Sequence, residues 1–148
     1  MNNKIPPPIV TLIFGCIIYF SSSFFPTCSH IALDIISFLF LLCGIIILRV
    51  AFLSFKNHKT TINPLNLTKT SSLVNTGLFK YSRNPMYLAM LLILLSIAVK
   101  FNLYGGLIMS LLFFFFITKF QILPEEKSMT KLFGKEFDKY KKKTRRWL

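Results

Sequence analysis

Four stretches of this chain, residues 9–25, 31–55, 86–99 and 103–123, are almost free of charge, with Asp34 and Arg49 the charged residues of the first two. Backbone amides in such segments would have no water to bond to, so helices are the form expected for them. The composition agrees: 53% of 148 residues are hydrophobic and the mean hydropathy is +0.59, well above the usual range for a water-soluble domain. The fold class expected is all-α and integral to a membrane, with about four transmembrane helices. The third window is short. About 15 residues rising 1.5 Å each reach about 22 Å, less than a hydrocarbon core of about 30 Å. It either starts inside the headgroup layer or is extended by snorkelling of Arg83 and Lys100, and Leu103, Tyr104, Gly105 and Gly106 read as an interfacial aromatic and a flexible turn into the fourth helix.

The formal net charge of +13 is unevenly spread. Five Lys/Arg lie between Lys56 and Arg83 and ten between Lys119 and Arg146, whereas the segment 26–30 has none and the turn after the third window has only Lys100. Since positive residues stay on the cytoplasmic side, both termini and the long middle loop are expected there. One domain, 1–148, follows: two N-terminal spans over 1–55, then a loop, a helical hairpin and a C-terminal tail over 56–148. Residues 1–8 carry one lysine and three prolines, and no small-x-small pattern follows the first apolar run, so no cleavable signal is read there. Cys16, Cys28 and Cys43 share no metal or redox spacing and read as buried thiols, and His30 and His58 fall on opposite sides of the membrane, so no metal site is expected.

Two polar patches stand at membrane boundaries, where polar groups generally serve function. The first is 77–87, Gly-Leu-Phe-Lys-Tyr-Ser-Arg-Asn-Pro-Met-Tyr. Pro85 at a first helical turn sacrifices no hydrogen bond, and the backbone donors around it suit a carboxylate or phosphate. A capped helix with a snorkelling arginine and a belt tyrosine would give the same pattern. The second patch is Glu125-Glu126, two of only five acidic residues, following Phe113–Phe116 and Pro124. Acidic residues also simply complement a helix start. The loop from Lys56 to Arg83 should fold over the mouth of the bundle, with residues 60–64 extended and 69–74 leading to the turn at Gly77. Beyond Pro124, Met129, Leu132, Phe133, Phe137 and Tyr140 recur at helical spacing, interrupted by Gly134. An amphipathic cytosolic helix or helix pair is expected, ending in Lys141-Lys142-Lys143, Arg145-Arg146 and Trp147 as an interfacial anchor.

With these residues in hand, the chain resembles the membrane-embedded methyltransferases related to isoprenylcysteine carboxyl methyltransferase and to phospholipid N-methyltransferases. The resemblance rests on Leu73-Val74-x-x-Gly77-x-Phe79-x-x-x-Arg83-Asn84-Pro85-x-Tyr87, and on Glu125-Glu126 followed by Phe133-Gly134 and Tyr140. It implies S-adenosylmethionine at the cytosolic mouth, contacted by Ser71, Ser72, Leu73, Val74, Phe79, Asn84, Pro85, Met86, Tyr87 and Glu125. Arg83 and Glu126 become candidates for orienting the acceptor or organising the pocket. Asn84 stands where the isoprenylcysteine enzymes have histidine, and Gln121 where they have an arginine that engages the acceptor carboxylate. Gln121 is thus a substrate-binding candidate that speaks against a carboxylate acceptor. The reading is a methyltransferase of a lipophilic small molecule or lipid that enters laterally among membrane lipids. The rival is a non-catalytic membrane protein with a basic, lipid-binding tail. Nucleic acid is not an expected partner, because the basic run has no recognisable binding module, and the sequence leaves the oligomeric state open.

Overall fold

A computed structural model describes residues 5–26, 28–57 and 73–148. Helix α1 (Pro7–Phe20) runs into a 3₁₀ turn (Ser21–Phe24), and α2 (Ile31–Asn57) follows. A second 3₁₀ turn (Gly77–Lys80) precedes α3 (Pro85–Phe101), which passes through Asn102 into α4 (Leu103–Ile117). A π-helical turn (Thr118–Ile122) leads to α5 (Leu123–Phe133), and α6 (Lys135–Lys143) completes the chain. Among the described residues there is no strand, and the β-type pairing is a lone parallel bridge between Ser82 and Arg145. The extended segment expected over 60–64 lies outside the described residues.

Three helical stretches are long and apolar enough to cross a membrane: Pro7–Phe24, Ile31–Ser54 and Leu103–Phe133. The third expected span, α3, has 17 residues and falls short of that length. Its position explains how a short helix is accommodated. It packs against α1, α2 and α4, with Ala89, Leu94 and Ala98 fully buried, so its neighbours shield it along most of its length. By contrast α2 exposes Ile31, Phe38, Ile46, Phe52 and Leu53, the apolar surface that lipid requires.

Helix association in lipid has no hydrophobic drive of its own and depends on close packing and polar contacts. Both occur around α3. A Cβ on Gly44 would lie 2.9 Å from Ile93 Cγ1 and 3.1 Å from the Ala89 carbonyl, so α2 can approach α3 only through glycine. The Ser37 hydroxyl donates to the Ser96 carbonyl at 3.0 Å across the same contact. On the other side, a Cβ on Gly106 would lie 2.5 Å from Ala98 Cβ. Gly105 and Gly106 therefore belong to the first turns of α4, where they permit contact, rather than to the flexible turn expected. The turn itself is Asn102, whose Oδ1 accepts from the Gly105 amide at 3.0 Å while its Nδ2 donates to Ser21 Oγ at 3.0 Å. One buried side chain thereby caps α4 and ties it to the end of α1.

Pro124 was expected to separate the fourth span from a cytosolic helix, but Leu103–Phe133 is one continuous helical path. The preceding turn widens to π form, with the Leu123 amide bonded to the Thr118 carbonyl, and Pro124, which has no N–H to donate, follows directly on that widened turn. The real break is Gly134, at φ 48° and ψ −121°, a conformation that side chains with a Cβ rarely adopt. The cysteines are free thiols, and Cys16 and Cys43 lie on exposed helix surface instead of in the core.

Candidate functional site

The local sequence around Pro85 holds the backbone open. Pro85 begins α3 with no side-chain cap on its first turn, so the amides that follow it point outward with their usual positive end. Ser82 Oγ accepts from the Asn84 amide at 3.1 Å, fixing the approach to the helix. Upstream, Gly77 at φ 59° turns the chain, and the 3₁₀ turn after it sinks Phe79 into a cluster with Ala51, Val74 and Met86. Leu73 belongs to a second cluster, with Phe137, Tyr140, Met129 and Phe133.

The adjacent glutamates of α5 take different partners because successive helical residues point about 100° apart. The Tyr87 hydroxyl donates to Glu125 Oε1 at 2.6 Å. Glu126 instead receives Arg83 Nη2 at 2.7 Å, and Arg146 through Nη2 at 2.9 Å and Nε at 3.1 Å. Arg83 and Glu126 are largely out of solvent, at 10% and 14% exposure, while Arg146 is partly exposed. Two guanidiniums surround one carboxylate, so the cluster carries a net positive charge. The Glu126 bond also raises the pKa of Arg146 above its ordinary value.

Backbone acceptors of the tail fix Arg83 further. Its Nη1 donates to the carbonyls of Thr144 at 2.6 Å and Lys141 at 3.2 Å, and its amide donates to the Arg145 carbonyl at 3.0 Å. Arg83 is thus turned into the protein and does not snorkel as expected. Asn84 Nδ2 donates to the Arg146 carbonyl at 2.9 Å. Thr144 Oγ1 donates to the Lys80 carbonyl at 3.2 Å, and the Tyr140 hydroxyl donates to the Phe79 carbonyl at 2.6 Å. Burial raises that hydroxyl's pKa, which keeps it a donor. Finally the Trp147 indole stacks on Phe114 with centroids 4.6 Å apart and donates to Thr118 Oγ1 at 3.3 Å. The tail 140–147 is therefore a clasp over residues 79–84.

Of the residues singled out from sequence, Arg83, Asn84, Pro85, Met86, Tyr87, Glu125 and Glu126 come together at the junction of α3, α5 and the tail, while Val74 and Phe79 join them through Met86 and Leu73 through Tyr140. Ser71 and Ser72 lie outside the described residues. Gln121 is 3% exposed in the π turn, and its Nε2 donates to the Ile5 carbonyl at 2.8 Å. Its Oε1 is buried without a hydrogen-bond partner among the described residues, as is Arg83 Nε. Sequence reasoning missed Ser82, Thr144 and Arg146. Arg146 stood inside a basic run, and the one available signal was its residue type, since arginine suits two-point pairing with a carboxylate better than the surrounding lysines do.

Comparison with known proteins bears on the whole of this region. The chain is 40% identical over 63 residues to an uncharacterized protein of Haemophilus influenzae, an alignment that covers 43% of this chain and all of that protein. No solved structure matches. A family model described as phospholipid methyltransferase matches residues 32–136, from the start of α2 through both glutamates and into α6. With that match over most of its length, this chain, a bundle of apolar helices whose two polar blocks join at one end of α3, belongs to the phospholipid methyltransferase family, a methyltransferase family associated with lipid-related substrates.

Proposed function

We propose that this protein transfers a methyl group from S-adenosylmethionine to a lipophilic acceptor at the cytosolic face of the membrane, in the manner of the isoprenylcysteine methyltransferases. The observation that carries this reading is the 2.6 Å bond between Tyr87 and Glu125, which joins two motif blocks 38 residues apart. The donor set suits a zwitterionic amino-acid end. Tyr87 occupies one oxygen of Glu125, and a carboxylate has capacity for further donors such as an ammonium. The uncapped first turn of α3 offers backbone donors to a carboxylate. Leu73, Val74, Phe79 and Met86 supply apolar surface beside them.

The cofactor supplies a methyl group activated by its positively charged sulfonium. Transfer to a nucleophile needs alignment more than acid or base groups, so the protein's own part is to hold and orient two ligands and exclude water. Arg83 and Glu126 act as positioning residues in this scheme, because their hydrogen bonds already bind the tail. Gln121, one turn before Glu125, meets the acceptor. In this reading α3 is the fourth crossing, and the bias of positive residues supports a cytoplasmic side for both termini and the site.

The test is calorimetric titration of S-adenosylmethionine, and of its demethylated product, into protein in nanodiscs, followed by transfer of labelled methyl into a lipid extract. Saturable binding with labelled lipid product is expected. Well-folded protein that binds neither compound would favour the non-catalytic alternative.

A further inference from the structure

We infer that α6 is a docking face for anionic phospholipid headgroups of the membrane in which the protein sits, whichever acceptor the enzyme methylates. Helix α6 has nine residues and two distinct sides. Phe137 and Tyr140 are buried in one cluster with Leu73, Met129 and Phe133. Lys135, Lys139, Lys142 and Lys143 follow one another at spacings of three and four or adjoin, so they share the opposite side, and all four are exposed. Asp138 is paired with Lys141 at 2.9 Å, and Glu136 is the acidic residue at the edge of the lysine side. Four lysines against one glutamate leave that surface with a net charge of +3.

A charged helix face alone would not choose between partners. Depth chooses here. Trp147 is stacked on Phe114, within a membrane-crossing stretch, and bonded to Thr118. Lys143 is four residues from that anchor, so the C-terminal end of α6 lies within about 14 Å of the span's surface. Lys119 is exposed on the same helix, one residue beyond Thr118. Leu132 and Leu148, before and after α6 in sequence, are both exposed, side chains that suit a headgroup and acyl boundary better than open water. A lysine near an anionic bilayer surface is held there by an attraction that salt screens. Because the other side of α6 holds the clasp through the Tyr140–Phe79 hydrogen bond, docking would steady the segment that contacts Arg83 and Asn84.

The experiment places the full chain in nanodiscs of phosphatidylcholine alone, or with roughly one-third phosphatidylglycerol, and follows amide hydrogen exchange over residues 135–148 at low and high salt. In the anionic discs exchange should slow about tenfold, the effect of one or two lysines at such a surface, and high salt should remove the difference. Replacing Lys135, Lys139, Lys142 and Lys143 with glutamine should abolish it, and replacing them with arginine should preserve it, with exchange in α3 as the control for folding. Equal exchange in both discs overturns the inference. So does a difference that survives the glutamine replacements, or protection that requires an added acidic protein or RNA. Should the glutamine variant lose protection in α3, the salt titration of the native protein decides by itself.

Discussion

The side-chain amide of Asn84 donates to the backbone carbonyl of Arg146 at 2.9 Å, across 62 residues of sequence. The motif asparagine thus secures the C-terminal tail, while its Oδ1 keeps acceptor capacity. Arg146 answers by pairing through its own guanidinium with Glu126, which Arg83 also holds. The order of α3, α5 and tail is closed by this loop of contacts.

If the loop organises the cofactor site, Arg146→Ala should lower thermal stability and weaken S-adenosylmethionine binding together. Losing two charge-assisted bonds, both from the partly exposed Arg146 to a largely buried carboxylate, should cost about 1 to 3 kcal/mol. Arg146→Lys keeps the charge without the planar fork and should fall in between. Thermal denaturation and calorimetry of the three proteins in one detergent provide the check. A tail that is mere surface would leave both quantities unmoved.

Glu125 should act on the cofactor directly. With the cofactor bound as proposed, Glu125→Gln would remove the charge opposite its ammonium and should weaken binding tenfold to a hundredfold, or about 1.5 to 3 kcal/mol. Tyr87→Phe removes one neutral donor to the same carboxylate and should have a smaller effect. The double variant should show less than the sum of the two, since both act through one group. Unchanged affinity in Glu125→Gln would move the cofactor elsewhere.

Packing around α3 makes a separate prediction. Gly106→Ala sets a methyl group 2.5 Å from Ala98 Cβ, an overpacking expected to destabilise by about 1 to 3 kcal/mol. Ala98→Gly in the same chain should recover little, because the Ala98 Cα still lies 2.6 Å from the added methyl. Melting temperatures in detergent would report both, and an unchanged melting temperature in Gly106→Ala would show that the two helices do not meet at this pair.

Much of this architecture was legible from hydropathy and residue type alone. The apolar windows located α1 to α4, and the two polar blocks named the residues that meet. What escaped was set by tertiary contact. The sequence marks Pro124 as a break, but the π turn upstream carries the helix through it. Gly105-Gly106 has the composition of a turn, but depth of packing against Ala98 explains it. The clasp was hidden because Arg146 and Thr144 stand in a stretch whose lysine-rich composition fits any exposed tail.

Topology can be tested with single cysteines in a chain freed of Cys16, Cys28 and Cys43. Tyr81 is 73% exposed on the side of the clasp, and Tyr81→Cys should label from the cytoplasm, as should a reporter fused after Leu148. Lys100, which pairs at the surface with Asp34 at 2.9 Å, lies at the other end of α3, and Lys100→Cys should label from the opposite side. Labelling of both cysteines from one side would remove α3 as a crossing.

The last prediction concerns the acceptor and starts from the amide of Gln121. Nε2 donates to the Ile5 carbonyl, which can only accept, so the amide orientation is set and Oε1 is the atom left without a partner among the described residues. A buried acceptor favours a group that brings a hydrogen-bond donor, and a glutamine lacks the full charge and fixed fork with which arginine holds a carboxylate. Lipophiles bearing an amine or an amide N–H should therefore be better acceptors than free prenylcysteine. The measurement compares kcat/KM for prenylcysteine analogues with carboxylate, amide and amine head groups, in the native protein and in Gln121→Arg. The arginine variant should shift preference toward the carboxylate by about tenfold or more, the scale of one charge-assisted bond, with cofactor affinity unchanged. If the native protein prefers the carboxylate and Gln121→Arg adds nothing, Gln121 does not read the acceptor.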